Sequence, residues 1–362
     1  MRGRCNKAIV FGSFTIRQTT LDDLVALRRF LVGGFGLPPD VECFSDEVLR
    51  WKYFDPFARR SGPCSYLAWT EGQIVGHIGI LLRSFQIRGD VPATVPTLHF
   101  IDWLAARDHP SAGLRLMLQG FRSAPTQYAV GGSPDGEKMA QVVGYTCRAE
   151  FPTMTRVLRP SFRLRQHGTD RLRQMAQAVR DLGRCLTNPG RTPRLAVLLR
   201  PVKRFGSEVN AILAGGPSPL VFTSRSSELF NYYLQYPGGT MSGWMLEGHQ
   251  GPLGVALLNV VREGKIRRGN IVECFLNAPD VDPWHAAIVA LTQQLHAQHA
   301  DIATCYASTP WILEACRHAG FRSSRALQKF YLRDRDRHLP EQASFHLTHL
   351  EGDHAYLSES VG

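Results

Sequence analysis

The chain has 362 residues and a formal net charge of +11. Hydrophobic residues make up 44% and charged residues 20%, a balance typical of a folded globular protein with room for two domains. No apolar run reaches about 18 residues, which argues against a transmembrane helix, and the start of the sequence lacks the pattern of a secretory signal peptide.

Eight cysteines are scattered along the chain without a C-x-x-C pair. This pattern argues against a zinc site and favours reduced thiols in a cytoplasmic protein. His346, His349 and His354 lie close together in the sequence, but their spacing is irregular and no cysteine is near. We therefore expect no metal site.

The first half reads as an α/β unit. An opening strand and helix precede an amphipathic segment at 47–56, and a β-hairpin over 65–82 turns at Glu71-Gly72. A strand over 101–105 then leads through a turn at 108–111 into a helix ending near 122. The apolar residues of that helix follow the i, i+3, i+4, i+7 spacing of one face: Leu114, Met117, Leu118 and Phe121. A strand over 127–130, a short helix ending at Gly144 and a strand over 153–158 complete the half.

The second half repeats these landmarks in the same order. Its predicted segments are an amphipathic stretch at 228–237, a hairpin near Glu247, a strand at 271–275, a helix at 283–297, a strand at 302–306, a short helix ending at Gly320 and a strand at 327–332. In both halves the strand before the longer helix carries one acid among apolar residues, Asp102 or Glu273. The sequence therefore predicts two copies of a domain-sized unit.

A basic segment separates the halves. Residues 156–204 contain thirteen Lys or Arg and two acids, a net charge of +11 that equals the net charge of the whole chain. The stretch 161–187 is predicted as a linker helix that breaks at 188–193, and 336–362 as a polar tail. We expect one helix face to dock on the protein: Leu172, Met175, Ala176, Val179 and Leu182. This would leave four arginines for an anionic partner, namely Arg171, Arg173, Arg180 and Arg184.

That partner could be a carrier protein, a membrane surface or RNA. The alternative is that the basic segment is only a solvated linker.

The order of these elements resembles that of the GNAT acyltransferase superfamily. Residues 71–76 are similar to its usual hairpin, and Gly144-Tyr145 and Gly320-Phe321 match its closing Gly-aromatic pair. The resemblance covers 13–158 well and 219–333 more weakly. It implies an α/β (α+β) fold of two tandem GNAT-like domains, each a mixed, mostly antiparallel sheet flanked by helices. The implied bounds are 1–160 for the first domain, 161–215 for the basic linker, 216–335 for a degenerate second domain and 336–362 for the tail.

The resemblance also implies an acyl-CoA cofactor, acetyl-CoA or longer, bound by the first half. Pantetheine would lie along the strand at Leu104 and Ala105, and the pyrophosphate at the following helix start: Ser111, Ala112, Gly113, Leu114 and Arg115. Backbone N–H groups and the helix dipole favour an anion at such a place. In the second half, Asp282 as N-cap with Pro283 at the first helical position would disfavour a phosphate.

Three residues are candidates for catalysis. Asp102, with a pKa raised by burial unless it is paired, would be a general base for an amine; alternatively it is a salt-bridged structural acid. His99 is a second candidate base, and Tyr128 a candidate proton donor to the leaving thiolate. Either could instead be a packing residue. Strand N–H groups near Leu104 and Ala105 would hold the oxyanion.

The expected function is N-acyl transfer from an acyl-CoA thioester to an amine of a small molecule or sugar. One alternative is a tRNA-dependent aminoacyl transferase of the tandem GNAT-like type. The other is a non-catalytic, degenerate GNAT-fold binding module. The sequence leaves the acyl chain, the acceptor and the oligomeric state open.

Overall fold

The computed structural model describes residues 14–60, 62–88, 92–165, 171–187, 189–214, 220–249, 251–278 and 280–352. The chain divides into two compact units. Unit 1 contains the described residues up to Leu82 together with Phe100–Ala124, and unit 2 contains Arg83–His99 and the described residues from Pro125 onward. These units are not consecutive halves of the sequence, so the predicted domain bounds stay a prediction.

Unit 1 is built from the first strands and helices of the chain. Its strands are β1 (Thr15–Gln18), β2 (Ser65–Thr70), β3 (Gln73–Arg88, up to residue 82) and β4 (Ala93–Ala105, from residue 100), in the order β1-β2-β3-β4. Its helices are α1 (Leu24–Phe35), α2 (Asp46–Phe54), α3 (Pro56–Arg59) and α4 (Pro110–Gly120).

The hairpin between β2 and β3 is confirmed where the sequence predicted it. Glu71 and Gly72 form its two-residue turn, and both have positive φ angles, 47° and 82°. A two-residue hairpin turn with both residues in the left-handed region matches the twist of the flanking strands. Helix α2 begins after Ser45, whose hydroxyl accepts a hydrogen bond from the backbone N–H of Val48.

Unit 2 contains a larger mixed sheet. Its further strands are β5 (Thr126–Val130), β6 (Thr146–Val157), β7 (Leu198–Val202), β8 (Leu220–Thr223), β9 (Met241–Gly248), β10 (Gly251–Glu263), β11 (Ile266–Leu276), β12 (Ile302–Tyr306), β13 (Arg322–Asp334) and β14 (Ser344–Phe345). Its helices are α5 (Pro134–Val142), α6 (Arg171–Thr187), α7 (Glu208–Ala214), α8 (Ser227–Leu234), α9 (Val281–Ala297) and α10 (Pro310–His318).

The sheet order of unit 2 interleaves strands from the two predicted copies. The order is β4-β5-β13-β6-β12-β11-β10-β9-β7, and β8 pairs with β14 and with the end of β3. Strand β13, from the second copy, lies between β5 and β6 of the first copy, antiparallel to both. Strand β6 in turn pairs with β12. The copies share a sheet at this point, which is why the compact units do not coincide with the repeat.

The segment predicted as a polar tail is buried where the structure describes it. Strand β14 pairs in parallel with β8, and Phe345, Leu347 and Leu350 belong to the buried apolar residues. The expectation of a polar tail from residue 336 is therefore wrong for residues 344–352. Apolar residues in this stretch are buried, and the polar residues between them form hydrogen bonds inside unit 2.

Helix α6 forms within the predicted range but faces the opposite way. The apolar residues expected to dock on the protein are exposed. Asp181 lies on the inner side instead, where its carboxylate accepts from Arg163 Nε at 2.8 Å. The predicted docking is wrong because this ion pair, and not the apolar face, orients the helix.

No helix among the described residues is both long and apolar enough to cross a membrane.

Candidate functional site

The junction between β4 and α4 in unit 1 is the predicted cofactor site. The helix begins at Pro110, one residue before the predicted start, and its N-cap residue His109 makes no side-chain cap. A tight turn joins the two elements, because His109 N–H donates to Ala106 O at 2.9 Å and Ala112 N–H to His109 O at 3.0 Å. Proline itself has no N–H. The first turn therefore has one backbone N–H donor fewer than a helix that begins at Ser111 would have.

The small residues of α4 serve helix–strand packing. A Cβ added at Gly113 would lie 3.3 Å from the Ala105 Cβ and from the Trp103 ring. The Trp103 indole N–H donates to the carbonyl oxygen of Gly113 at 3.1 Å. The side chain of Ala112 is also buried. The missing side chain at Gly113 thus allows close approach to β4, and a side chain there would require its neighbours to shift by a few tenths of an ångström.

The remaining predicted cofactor contacts lie nearer the surface. Ser111 and Leu114 are half-buried, and Arg115 is exposed with its guanidinium 4.5 Å from the centre of the Phe14 ring. Leu104 packs against α1, where a Cβ at Gly34 would collide with it. Of the predicted set, Ser111, Leu114 and Arg115 therefore present side chains at the start of α4.

Asp102 is buried and fully engaged. Lys52 Nζ donates to its Oδ2 at 2.7 Å, and the Tyr53 hydroxyl donates to the same oxygen. Burial alone would raise the pKa of Asp102, but the Lys52 charge and the two hydrogen bonds outweigh it and lower the pKa below its usual value. A raised pKa was expected only if this carboxylate were unpaired. The structure shows the stated alternative, a salt-bridged acid.

The backbone of Asp102 is unusual as well. Its φ angle is +48° inside a strand, a conformation that is rare and costly for a residue with a side chain. Its carbonyl oxygen lies 2.8 Å from His77 Nδ1. Since a carbonyl only accepts, Nδ1 carries the proton. The side chain and the carbonyl of Asp102 are thus both held by buried partners.

His77 continues this network into the interior of unit 1. Its Nε2 lies 2.9 Å from Ser65 Oγ, which lies 2.5 Å from Thr19 Oγ1. Burial lowers the pKa of His77 to about 4, so the imidazole is neutral at neutral pH. With Nδ1 protonated, Nε2 accepts from Ser65, and the Ser65 oxygen accepts from Thr19.

The sequence did not predict Lys52, Tyr53 and His77 as partners of Asp102. Lys52 and Tyr53 lie in the amphipathic helix α2, where a lysine normally faces solvent. His77 lies among apolar residues of β3. The adjacent Lys52-Tyr53 pair, set between apolar residues, was the available signal.

Unit 2 holds the equivalent acid in the same way. Arg225 Nε donates to Glu273 Oε2 at 2.7 Å, and Arg225 Nη1 lies 2.6 Å from Glu351 Oε1. His346 Nε2 lies 3.2 Å from Glu273 Oε1. Burial would raise the pKa of Glu273, but Arg225 and His346 lower it to about 2. In both units the strand acid is matched by a buried cation, Lys52 in α2 and Arg225 in the connection between β8 and α8.

His99 and Tyr128 are brought together in unit 2. They are register partners in the parallel pair β4–β5, and their rings stack with centroids 4.5 Å apart at an interplanar angle of 7°. Both are buried. Burial and the negative charge of Glu351 raise the pKa of Tyr128 well above its usual value. Tyr128 therefore keeps its proton at neutral pH.

The C-terminal histidines make other contacts. His346 binds Glu273, and the His349 ring packs edge-on against Tyr306 at 4.2 Å. His354 lies outside the described residues. Within the described ranges, no three His, Cys, Asp or Glu side chains are grouped so that they could hold a metal ion.

The strand–helix junction has a different first turn in unit 2, where α9 begins at Val281 after Asp280. The predicted N-cap at Asp282 is therefore wrong by two residues.

No family model matches the sequence, and no curated protein is significantly similar to it. Solved structures do match. N-myristoyltransferase of Saccharomyces cerevisiae with bound myristoyl-CoA and inhibitors superposes with a TM-score of 0.58 at 11% identity, over 90% of this chain and 81% of that chain. A GCN5-related N-acetyltransferase (GNAT) of Anabaena variabilis superposes with a TM-score of 0.52 at 12% identity, over 88% of this chain and 72% of that chain.

The chain has the GNAT fold. A conserved protein of Enterococcus faecalis V583, described as a probable N-acyltransferase, also matches, with a TM-score of 0.56 at 11% identity over 89% of this chain and 72% of that one. The predicted GNAT resemblance and the α/β fold class are thereby confirmed. At these identities the likeness establishes the fold, and the chemistry must be argued from the site.

Proposed function

We propose that this GNAT-fold protein is an N-acyltransferase that moves an acyl group from an acyl-CoA thioester to an amine. The matched structures are those of acyltransferases, and one of them holds an acyl-CoA. The match extends over about nine-tenths of the chain. A strand end that turns into a helix start suits a CoA pyrophosphate.

The observation that carries this proposal is the conformation of Asp102. A left-handed residue inside a strand costs about 1–3 kcal/mol and persists only where its surroundings hold it. Here Lys52, Tyr53 and His77 all bind it from buried positions. Such a residue breaks the regular alternation of the strand and redirects the N–H groups that follow. We propose that the N–H groups near Leu104 and Ala105 face the thioester carbonyl and hold its oxyanion.

The geometry favours Asp102 as a positioning residue. Its Oδ2 accepts from two buried donors, and a pKa below the usual range weakens a carboxylate as a base for an ammonium group. Tyr128 stays the proposed proton donor to the leaving thiolate: it is protonated at neutral pH, although burial, by raising its pKa, also makes it a weaker acid. His99, stacked on Tyr128, remains the candidate base.

Cofactor binding is tested by a charge placed at the start of α4. Gly113 is unsuitable because its Cβ position faces Trp103 and Ala105. Ser111 is half-buried in the first turn, where an acid stabilises the helix. Ser111→Asp should therefore fold normally while repelling the pyrophosphate. The matched control is Gln119→Asp, exposed in the last turn of the same helix.

The experiment combines CoA calorimetry with thiol release from acetyl-CoA to long-chain acyl-CoA in the presence of amine acceptors. The parent protein and Gln119→Asp should bind CoA alike, and Ser111→Asp at least about tenfold more weakly. A parent that binds no CoA thioester contradicts the proposal. Turnover only with aminoacyl-tRNA would establish the tRNA-dependent alternative. CoA binding without any turnover would establish the alternative of a non-catalytic binding module.

A further inference from the structure

Helix α6 has an apolar face that the protein leaves exposed. Five large side chains follow one another at intervals of three and four residues, which places them on one side of the helix. We call them the α6 stripe: Leu172, Met175, Val179, Leu182 and Leu186, which are 80%, 55%, 68%, 50% and 73% exposed. The stripe extends over about 21 Å of helix. Contiguous apolar surface of this kind marks an interaction site.

The orientation of the helix is fixed by polar contacts on its other side. Asp181 is 2% exposed, and its carboxylate binds Arg163 at 2.8 Å and lies 3.3–3.4 Å from Arg180 and Arg184. Cys185 Sγ lies 3.5 Å from the carbonyl oxygen of Val157 in β6. The helix thus packs on unit 2 by its polar side and presents its apolar side outward.

Charge identifies the occupant. Arg171, Arg173, Arg180 and Arg184 are exposed, and the one acid of the helix, Asp181, is buried. By helical spacing Arg171 borders the stripe, and the other three arginines lie on the polar side of the helix. Two copies of this helix carry like charge, which disfavours their pairing, whereas an anionic surface complements them. An amphipathic helix with large aliphatic residues on one face and arginines on its polar side is suited to lie in the interface of an anionic membrane.

We propose that the α6 stripe and the exposed arginines of α6 bind this protein to an anionic lipid surface. The apolar side chains would enter the boundary between headgroups and acyl chains, and the arginines would bind lipid phosphates. The inference does not depend on the proposed acyl transfer, because none of these residues belongs to the β4–α4 junction.

Vesicle flotation tests the proposal with the full chain. The probes are vesicles of phosphatidylcholine alone and vesicles with equal parts of phosphatidylcholine and phosphatidylglycerol. The parent should float with the mixed vesicles and stay behind with the neutral ones. Binding should weaken as salt rises, since the attraction is partly electrostatic.

Two pairs of variants separate the apolar and the charged contributions. Met175→Gln/Val179→Gln should weaken binding to the mixed vesicles at least about tenfold, whereas Val142→Gln/Leu327→Gln, at exposed apolar positions elsewhere, should not. Arg171→Glu/Arg173→Glu should also weaken it at least about tenfold, and Arg29→Glu/Arg50→Glu, exposed in α1 and α2, should have a much smaller effect.

All four variants should keep the parent's turnover of soluble acyl-CoA, which separates this proposal from the catalytic one. A parent that does not float, or stripe variants that float as well as their controls, would overturn it. So would binding of the stripe to RNA or to a soluble protein in place of the vesicles.

Discussion

Lys52 Nζ lies 2.7 Å from Asp102 Oδ2, and both side chains are 2% exposed. A buried charge without its partner is strongly destabilising, whereas the pair as a whole gives little net stability. The pair therefore does not explain how the fold is stabilised. It accounts for the fixed position of β4 at the residue with positive φ.

Removing Lys52 alone should lower the free energy of unfolding more than removing both charges of the pair. Lys52→Met leaves Asp102 buried without its partner, and we expect the free energy of unfolding to fall by about 3–5 kcal/mol. The double variant Lys52→Met/Asp102→Asn should recover part of that loss. Urea unfolding measures both, and Lys138→Met, at an exposed lysine of α5, is the control. Additive effects of the two substitutions would show that the pair is not coupled.

Asp102 and Glu273 should differ in their effect on turnover. Asp102→Asn should lower kcat with acyl-CoA by about tenfold or more, because it weakens the bonds that hold the β4 backbone, while Glu273→Gln should act mainly on stability. For a positioning residue, the pH dependence of kcat/KM should keep its shape in Asp102→Asn. Loss of the limb that reports the base would instead identify Asp102 as the general base. A larger kinetic effect of Glu273→Gln would reverse the roles of the two acids.

His77 should make stability depend on pH between about 4 and 6.5. Its pKa is lowered to about 4 in the folded protein, against about 6.5 for an unperturbed histidine. The unfolded chain therefore binds more protons in this range, and stability falls as pH falls, by about 1.4 kcal/mol per pH unit for one such group. Denaturant unfolding at several pH values measures the slope.

The matched variant for this slope is His77→Gln, which keeps a donor for the Asp102 carbonyl but does not titrate. Its stability should change less between pH 6.5 and pH 4 than that of the parent. Equal slopes in the two proteins would mean that the imidazole is not the group responsible. His338→Gln, at a half-exposed histidine, should leave the slope unchanged.

The sequence predicted the elements that local patterns determine. The hairpin turn at Glu71-Gly72, the presence of α4 and the strand positions of Asp102 and Glu273 all follow from short-range signals, and the structure confirms them. The predicted apolar face of α4 is wrong: only Met117 of it is buried, Leu118 is 48% exposed, and the helix buries Ala112, Gly113, Leu116 and Gly120 instead, because small residues allow close packing on β4. The repeated order of these elements was enough to indicate the GNAT fold, although the sequence matches no family model.

The partners of these residues could not be predicted, because burial of a charge depends on packing between distant segments. Arg225 is 48 residues from Glu273, and a lysine in an amphipathic helix, such as Lys52, normally lies in solvent. Helix α6 shows the same limit. The spacing of its apolar residues predicted that these residues face the protein, but the side that faces the protein is the one on which Asp181 binds Arg163.

Glu351 should be as important to unit 2 as Lys52 is to unit 1. Its Oε1 accepts from Thr223 Oγ1 at 2.5 Å and lies 2.6 Å from Arg225 Nη1, and its Oε2 accepts from the backbone N–H of Thr348 at 2.7 Å. Glu351→Gln replaces an acceptor with a donor beside a buried guanidinium. We expect it to lower the free energy of unfolding by about 3 kcal/mol or more, measured by urea denaturation.

The control for Glu351 is Glu341→Gln, at an exposed residue of the same C-terminal segment, which should change stability by less than about 0.5 kcal/mol. Because Arg225 also binds Glu273, the loss of Glu351 should be felt at the strand acid as well. Arg225→Met alone should leave both Glu273 and Glu351 buried without their cation, and the double variant Arg225→Met/Glu351→Gln should recover part of that loss. If Glu351→Gln and Glu341→Gln unfold at the same urea concentration as the parent, residues 344–352 do not fix Arg225, and their burial has another cause.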